Sequence, residues 1–362
     1  MDTKNDQTVV LTLDAGGTNF SFAALRGGKQ VGESVVLPAE ANDRDRSLAN
    51  MFAGFQQVAD QAGGPARAIS FAFPGPADYR RGVLYNVGNL PAYAGGVPLA
   101  DILSEKFGIP VFINNDGDLF ALGEATAGLL PEVNAKLEAS GSLQRYRNLI
   151  GLTLGTGFGG GIVLEGKLLQ GDNSMTGEVW LLRHGLAPNV NAEEGVSIRA
   201  VTGAYAEAAS DPQASERTPH DIARIAQGEL EGDAAAAREA YARLGRVLGD
   251  AIANLVTLLD GMVVIGGGLS KSHELFMPAL LEMVNSPFSD QPGAQPRLVQ
   301  HVYNLEDPAD AEAFYKPAPL SASGEPEYLP RTAVGISRLG ANEAVGLGAY
   351  AVAVAALETS NT

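Results

Sequence analysis

Twice in this chain a short apolar run stops at a glycine-rich turn and then resumes as a second apolar run. Leu11-Thr12-Leu13 leads into Asp14-Ala15-Gly16-Gly17-Thr18, and Leu152-Thr153-Leu154 leads into Gly155-Thr156-Gly157. Runs this short and this uniformly apolar read as strands buried on both faces. Glycine at the turn supplies backbone conformations closed to other residues and lets another group approach the main chain. The recurrence is a similarity of supersecondary units, not a solenoid repeat. It predicts two related halves, each opening with a strand–turn–strand hairpin. A third glycine turn, Gly266-Gly267-Gly268, follows the apolar run at 262–265.

Helical patterns at 47–61 and 98–107, the second with proline at its start, alternate with apolar runs at 68–73 and 111–113. The latter run ends in Asn114-Asn115-Asp116-Gly117-Asp118, ahead of a helix predicted over 119–127. Helices dominate 197–259, the longest at 234–259, and another starts near His273. Residues 286–331 are rich in Pro, Asp, Glu and Ser and read as a long surface excursion with a strand near 297–303. A small-residue helix over 344–356 closes the chain.

With 362 residues the chain is long enough for two domains. Its 45% hydrophobic and 19% charged residues are an ordinary globular composition. A formal net charge of −17 argues against a general nucleic-acid surface, because phosphate backbones need a basic footprint. It leaves room for one nucleotide, which main-chain N–H groups and a metal ion can hold. There is no cysteine, which excludes disulfides and thiolate metal sites, and four histidines give no His-only site. The polar residues 1–7 lack the apolar core of a signal peptide, and 346–357 is too short to span a bilayer. A cytoplasmic chain with no membrane partner is the expectation.

The glycine turns and the acids near them are the candidate site residues. One glycine turn is what any hairpin carries; three after apolar strands fit a nucleotide, whose phosphates and base–ribose end need close backbone approach. Asp14 suits either a self-bonded turn or a carboxylate near hydrated Mg²⁺, and Thr18 and Thr156 offer hydroxyls to phosphate. Asn115-Asp116 fits a turn or helix cap equally well as a pair in which Asp116 takes a proton from a sugar hydroxyl and Asn115 bonds its neighbour. Glu178, Glu193 and Glu194 lie in a Gly/Asn-rich stretch that reads either as solvated loop or as acceptors for sugar hydroxyls.

In order, these motifs resemble the ROK family (repressors, open reading frames and sugar kinases). The resemblance also rests on Phe73-Pro74-Gly75-Pro76, Asn89-Leu90-Pro91, Leu154-Gly155-Thr156-Gly157-Phe158-Gly159-Gly160-Gly161 and Gly177-Glu178. It runs from about residue 9 to about 355. It implies an actin-like, ribonuclease-H-like ATPase fold of two α/β domains with a central cleft. The expected division is a small domain over 1–118, completed by 344–362, and a larger one over 119–343 containing an irregular insertion at about 286–331.

The resemblance further implies an ATP- and Mg²⁺-dependent transfer to a hexose hydroxyl, usually that on C6, and a homodimer. Asp116 matches the family's catalytic base. Asn89, Asn115, Glu178 and Glu193 match sugar-binding positions, with Glu194 an alternative for Glu193. Gly16, Gly17, Thr18, Gly155, Thr156 and Gly157 match the phosphate loops, and Gly266, Gly267 and Gly268 the adenosine side. Three departures stand out. Leu181 replaces a common family histidine, with His184 nearby but out of register; Asn114 stands where an acid is common; and Pro188-Asn189-Val190-Asn191-Ala192 replaces the Cys-rich zinc motif, so no structural zinc is expected. A catalytically silent sugar binder of the same fold is the alternative. A sugar-sensing regulator is disfavoured, because the first strand begins by Val9 and leaves no room for a helix-turn-helix.

Overall fold

The computed structural model describes residues 6–75, 77–85, 88 and 90–359. Chain contacts gather Met1–Gly128, Lys167–Thr176 and Ala341–Thr362 into a first unit, and Leu129–Gly166 and Gly177–Gly340 into a second. No helix among the described residues is long and apolar enough to cross a membrane.

The first unit is built on β1 (Val9–Ala15), β2 (Asn19–Arg26), β3 (Lys29–Pro38), α1 (Arg44–Gln61), β4 (Ala66–Ala72), α2 (Leu99–Phe107), β5 (Val111–Asn114) and α3 (Asp116–Thr126). Its main sheet among the described residues has the order β3-β2-β1-β4-β5. Strand β1 runs antiparallel to β2 and parallel to β4, which is parallel to β5. The uniform apolarity of β1 has a simple cause: both of its faces are covered. Val9, Leu11 and Leu13 pack with Met51, Phe55 and Val58 of α1, while Val10 packs with Tyr350, Ala353 and Val354 of the closing helix, Ala341–Thr359.

Helix α1 begins where Asp43 accepts from the Arg46 N–H at 3.1 Å, and buries Ser47, Met51, Gly54, Phe55 and Val58 at helical spacing. Phe55 meets Phe22 of β2 edge-on at 5.0 Å, and full burial of such a ring is worth about 1.5–3 kcal/mol.

The small residues of the closing helix are there for close approach to α3. A side chain on Gly348 would run into the Leu119 carbonyl, and one on Gly123 into that of Ala344. Gly348→Val is therefore expected to lower stability by about 1–3 kcal/mol, read as a shifted urea midpoint at unchanged slope. This contact also holds α3 in the first unit, beyond the expected boundary at residue 118.

The second unit contains α4 (Leu129–Ala139), β6 (Leu149–Leu154), β7 (Phe158–Leu164), α5 (Glu193–Val196), α6 (Ile198–Ala208), α7 (Pro219–Gln227), α8 (Ala234–Leu259), β8 (Met262–Gly266), α9 (His273–Asn285), β9 (His301–Asn304), α10 (Pro308–Tyr315) and β10 (Arg331–Ile336). Its strands lie in the order β7-β6-β8-β10-β9, antiparallel only between β7 and β6. Helix α8 starts on Asp233, which accepts from Ala235 and Ala236, and approaches α9 through Gly245 and Gly249. The 286–331 stretch contains the strand β9, close to the predicted position, and also α10, for which no helix is predicted. The Asp307 cap and Pro308 at the first helical position start α10, signals masked by the surrounding Pro and Asp.

Candidate active site

Both hairpin turns lie at the carboxyl ends of parallel strands, where ligands of open α/β sheets gather. In the first unit, β1 ends at the turn 15–19, which the Gly16 N–H closes on the Asn19 carbonyl at 3.1 Å. A Cβ on Gly16 would lie 2.9 Å from that carbonyl, so the turn holds its shape only with glycine there. Asp14, Gly16 and Thr18 are exposed, as a loop that receives a ligand must be.

The strand register joins this hairpin to the second motif. Asp14 lies opposite Ala72, and Ala72 opposite Asn114. Asp14 and Asn114 are thus level and two strands apart, about 10 Å by the usual strand spacing. The next residue, Asn115, caps α3: its Oδ1 accepts from the Gly117 N–H at 2.8 Å. This bond turns Asn-Asp-Gly into the first turn of a helix, which begins at Asp116 rather than the predicted 119. Asp116 is exposed at that first turn, with Oδ1 also accepting from Gly117 at 2.9 Å. Buried Asn114 accepts from Gln170 Nε2 at 2.7 Å. Asn89 lies outside the described residues.

In the second unit, Gly266 is level with Thr153, so the Gly266–Gly268 turn and the Gly155–Gly157 turn share one sheet edge. Gly267 has φ 85° and ψ 175°, a region reserved for glycine, and its Cα faces the Leu154 backbone. Gly155 and Gly268 differ. Neither has a left-handed backbone, and a Cβ on either would meet nothing within 4 Å. Packing does not require glycine at those two positions.

Glu193 is bound into the 155–157 hairpin. Its Oε2 accepts from the Phe158 N–H at 3.0 Å and its Oε1 from Arg199 at 2.7 Å. Arg199 also grips both oxygens of Glu194, at 2.6 and 3.1 Å, and donates to the Thr156 carbonyl at 3.3 Å. The Arg199 bonds hold the Glu194 carboxyl below the usual carboxylate range. Glu178 bonds the Trp180 indole N–H, while Val179 packs against Gly160 of β7. Leu181 is 60% exposed and contributes no polar group, whereas His184 is buried.

The structure therefore brings Asp14, Gly16, Gly17, Thr18, Asn115 and Asp116 to one sheet edge of the first unit. It brings Gly155, Thr156, Gly157, Glu193, Glu194 and the Gly266–Gly268 turn to one edge of the second. Arg199, Gln170 and Trp180, which bond these candidate residues, stand outside the motifs legible in the sequence. Arg199 is separated from its glutamates by the break between α5 and α6, so helical spacing gave no signal of the contact.

Residues 10–309 match the ROK family. The chain belongs to that family. It is 30% identical to an N-acetyl-D-glucosamine kinase of Escherichia coli over 276 residues, covering 71% of this chain and 83% of the relative. Among solved structures it resembles a glucokinase of Parabacteroides distasonis, with a TM-score of 0.88 and 45% identity over 98% of this chain and 99% of that one. A ROK hexokinase of Thermus thermophilus gives a TM-score of 0.67 and 26% identity over 98% and 100%. The fold of this ROK chain is the expected actin-like ATPase fold.

Proposed function

We propose that this ROK protein transfers the γ-phosphoryl group of ATP to the C6 hydroxyl of a hexose, with Asp116 as general base. The register Asp14–Ala72–Asn114 carries the reading, because it levels a glycine hairpin with the strand end that leads into the exposed carboxylate of Asp116, two strands away on the same sheet edge. The sugar hydroxyl attacks the γ-phosphorus as its proton passes to Asp116, and ADP leaves. Positioning and charge neutralisation supply most of the rate in such a transfer.

Main-chain N–H groups of Gly16, Gly17, Thr18, Gly155, Thr156 and Gly157 would receive the phosphates, and the Gly266–Gly268 turn the adenosine. Asn115 has its Oδ1 committed to the helix cap, which leaves the amide nitrogen to bond a sugar hydroxyl. Glu178, with one oxygen fixed by Trp180, accepts from sugar hydroxyls through the other. Glu193 joins the sugar end to the phosphate hairpin through Phe158 and Arg199; Glu194 serves chiefly to hold Arg199.

Among the described residues no three His, Cys, Asp or Glu cluster as a metal cage. A lone exposed Asp14 beside a phosphate hairpin suits Mg²⁺ held mostly by water and phosphate oxygens. Bound there, the ion supplies neutralisation of phosphate charge.

Coupled ADP release across glucose, mannose, fructose, N-acetylglucosamine and N-acetylmannosamine tests the substrate class. Glucose is expected to give the highest kcat/KM, since the similarity to the glucokinase is stronger and longer than that to the N-acetylglucosamine kinase. Glu178→Gln is expected to raise the sugar KM about tenfold or more without changing the ATP KM. Sugar binding by calorimetry without ADP release on any of the five would instead establish a silent sugar binder.

A further inference from the structure

The segment between Glu178 and Glu193 folds back on itself. Ala192 N–H donates to the Leu182 carbonyl at 2.7 Å, Arg183 bridges Asn191, and His184 N–H donates to the Val190 carbonyl at 3.1 Å. These bonds close the loop at its base. Inside it sits His184, only 2% exposed. Its Nδ1 accepts from two main-chain donors, the Leu186 N–H at 3.1 Å and the Ala187 N–H at 3.0 Å. Two donors on one nitrogen fix the imidazole as neutral, with its proton on Nε2. The Nε2 edge faces Gly195 of α5, where a Cβ would collide with the ring, and Val247 of α8 lines the same spot. The ring thus ties the loop tip to the helix that starts with Glu193.

We infer that His184 is a positioning residue, which organises the 182–192 loop from within and so sets Glu178 and Glu193 at its two ends for sugar binding. The inference rests on the reading of those glutamates as sugar ligands. It assigns a role to the histidine that lies out of register with the family position. It also accounts for an ordered loop in a stretch that has no cysteine.

A proton on Nδ1 would set a ring N–H against both main-chain N–H groups, leaving the Ala187 N–H only the His184 carbonyl at 3.2 Å. The charged groups around the ring and its loop are Arg243 and Asp250 of α8, Glu194 of α5 and Arg183 on the loop itself. Burial, then the Arg243 guanidinium, hold the imidazole below the ordinary histidine value, opposed by a main-chain hydrogen bond at His184 itself and by Glu194. The unfolded chain binds this proton more readily than the folded one. The loop's stabilisation is therefore complete above the ordinary value, about 6.5, and is lost as pH falls through the lower folded value.

With four histidines in the chain, ¹⁵N imidazole spectra between pH 4.5 and 8.5 resolve the question directly. His184 is expected to show the Nε2-protonated form and to titrate below the ordinary histidine value, with the Leu186 and Ala187 amides protected from exchange. In kinetics, the sugar KM is expected to rise as pH falls through that titration while the ATP KM stays level. His184→Ala is expected to raise the sugar KM about tenfold and remove that pH dependence. A proton on Nδ1, titration at or above the ordinary histidine value, or a wild-type sugar KM in His184→Ala would each overturn the inference. The spectra and amide protection are read on the unaltered protein without substrate. They stand even where His184→Ala does not fold, and a failure of the kinase reading shows separately, as absent sugar turnover.

Discussion

Asp116→Asn is expected to lower kcat about 10²- to 10⁴-fold while changing sugar affinity no more than a few-fold. The asparagine fits the same space and can still accept from the Gly117 N–H, so the start of α3 is preserved. What it loses is the ability to take a proton from the attacking hydroxyl. A purely structural role for Asp116 as a helix-start residue predicts little change in either stability or turnover, because the bond to the Gly117 N–H is kept. Denaturation and steady-state kinetics on one variant separate the two. Near-normal kcat in a folded Asp116→Asn would remove Asp116 from the chemistry.

Adjacent glycines in the third turn are expected to respond in opposite ways. Gly267→Ala places a side chain in a backbone region reserved for glycine and against the Leu154 main chain. It is expected to cost at least about 2 kcal/mol of stability, whatever the ligand. Gly268→Ala meets open space with no left-handed backbone to disturb, so its stability should lie within about 0.5 kcal/mol of the parent. If the turn receives adenosine, Gly268→Ala raises the ATP KM about tenfold with the sugar KM unchanged. An unaltered ATP KM would reduce this turn to a structural element of the β8 edge.

The parts of the fold visible in the sequence were those set by local chemistry. The apolar run of β1 announced a strand covered on both sides, and the long helical pattern over 234–259 matches the bounds of α8. Three features needed the folded chain. Gly123 and Gly348 each lie against a carbonyl of the other helix, a contact that no local pattern signals. Gln170 reaches Asn114 from 56 residues away, with no periodic pattern to signal it. Arg199 gathers Glu193, Glu194 and the Thr156 carbonyl across the break between α5 and α6, a contact that spacing does not signal. Asn115-Asp116-Gly117 was ambiguous between turn and helix cap; one side-chain bond to Gly117 makes it a cap, and that places Asp116 at the exposed start of α3.

The most direct test of the account is the product itself. Incubation of the purified chain with MgATP and uniformly ¹³C-labelled glucose, followed by ³¹P–¹³C correlation, reads which carbon carries phosphate. A phosphate monoester on C6, formed only when sugar and ATP are both present, is the predicted result. Phosphate on another carbon, or no sugar phosphate while glucose remains bound, would contradict it.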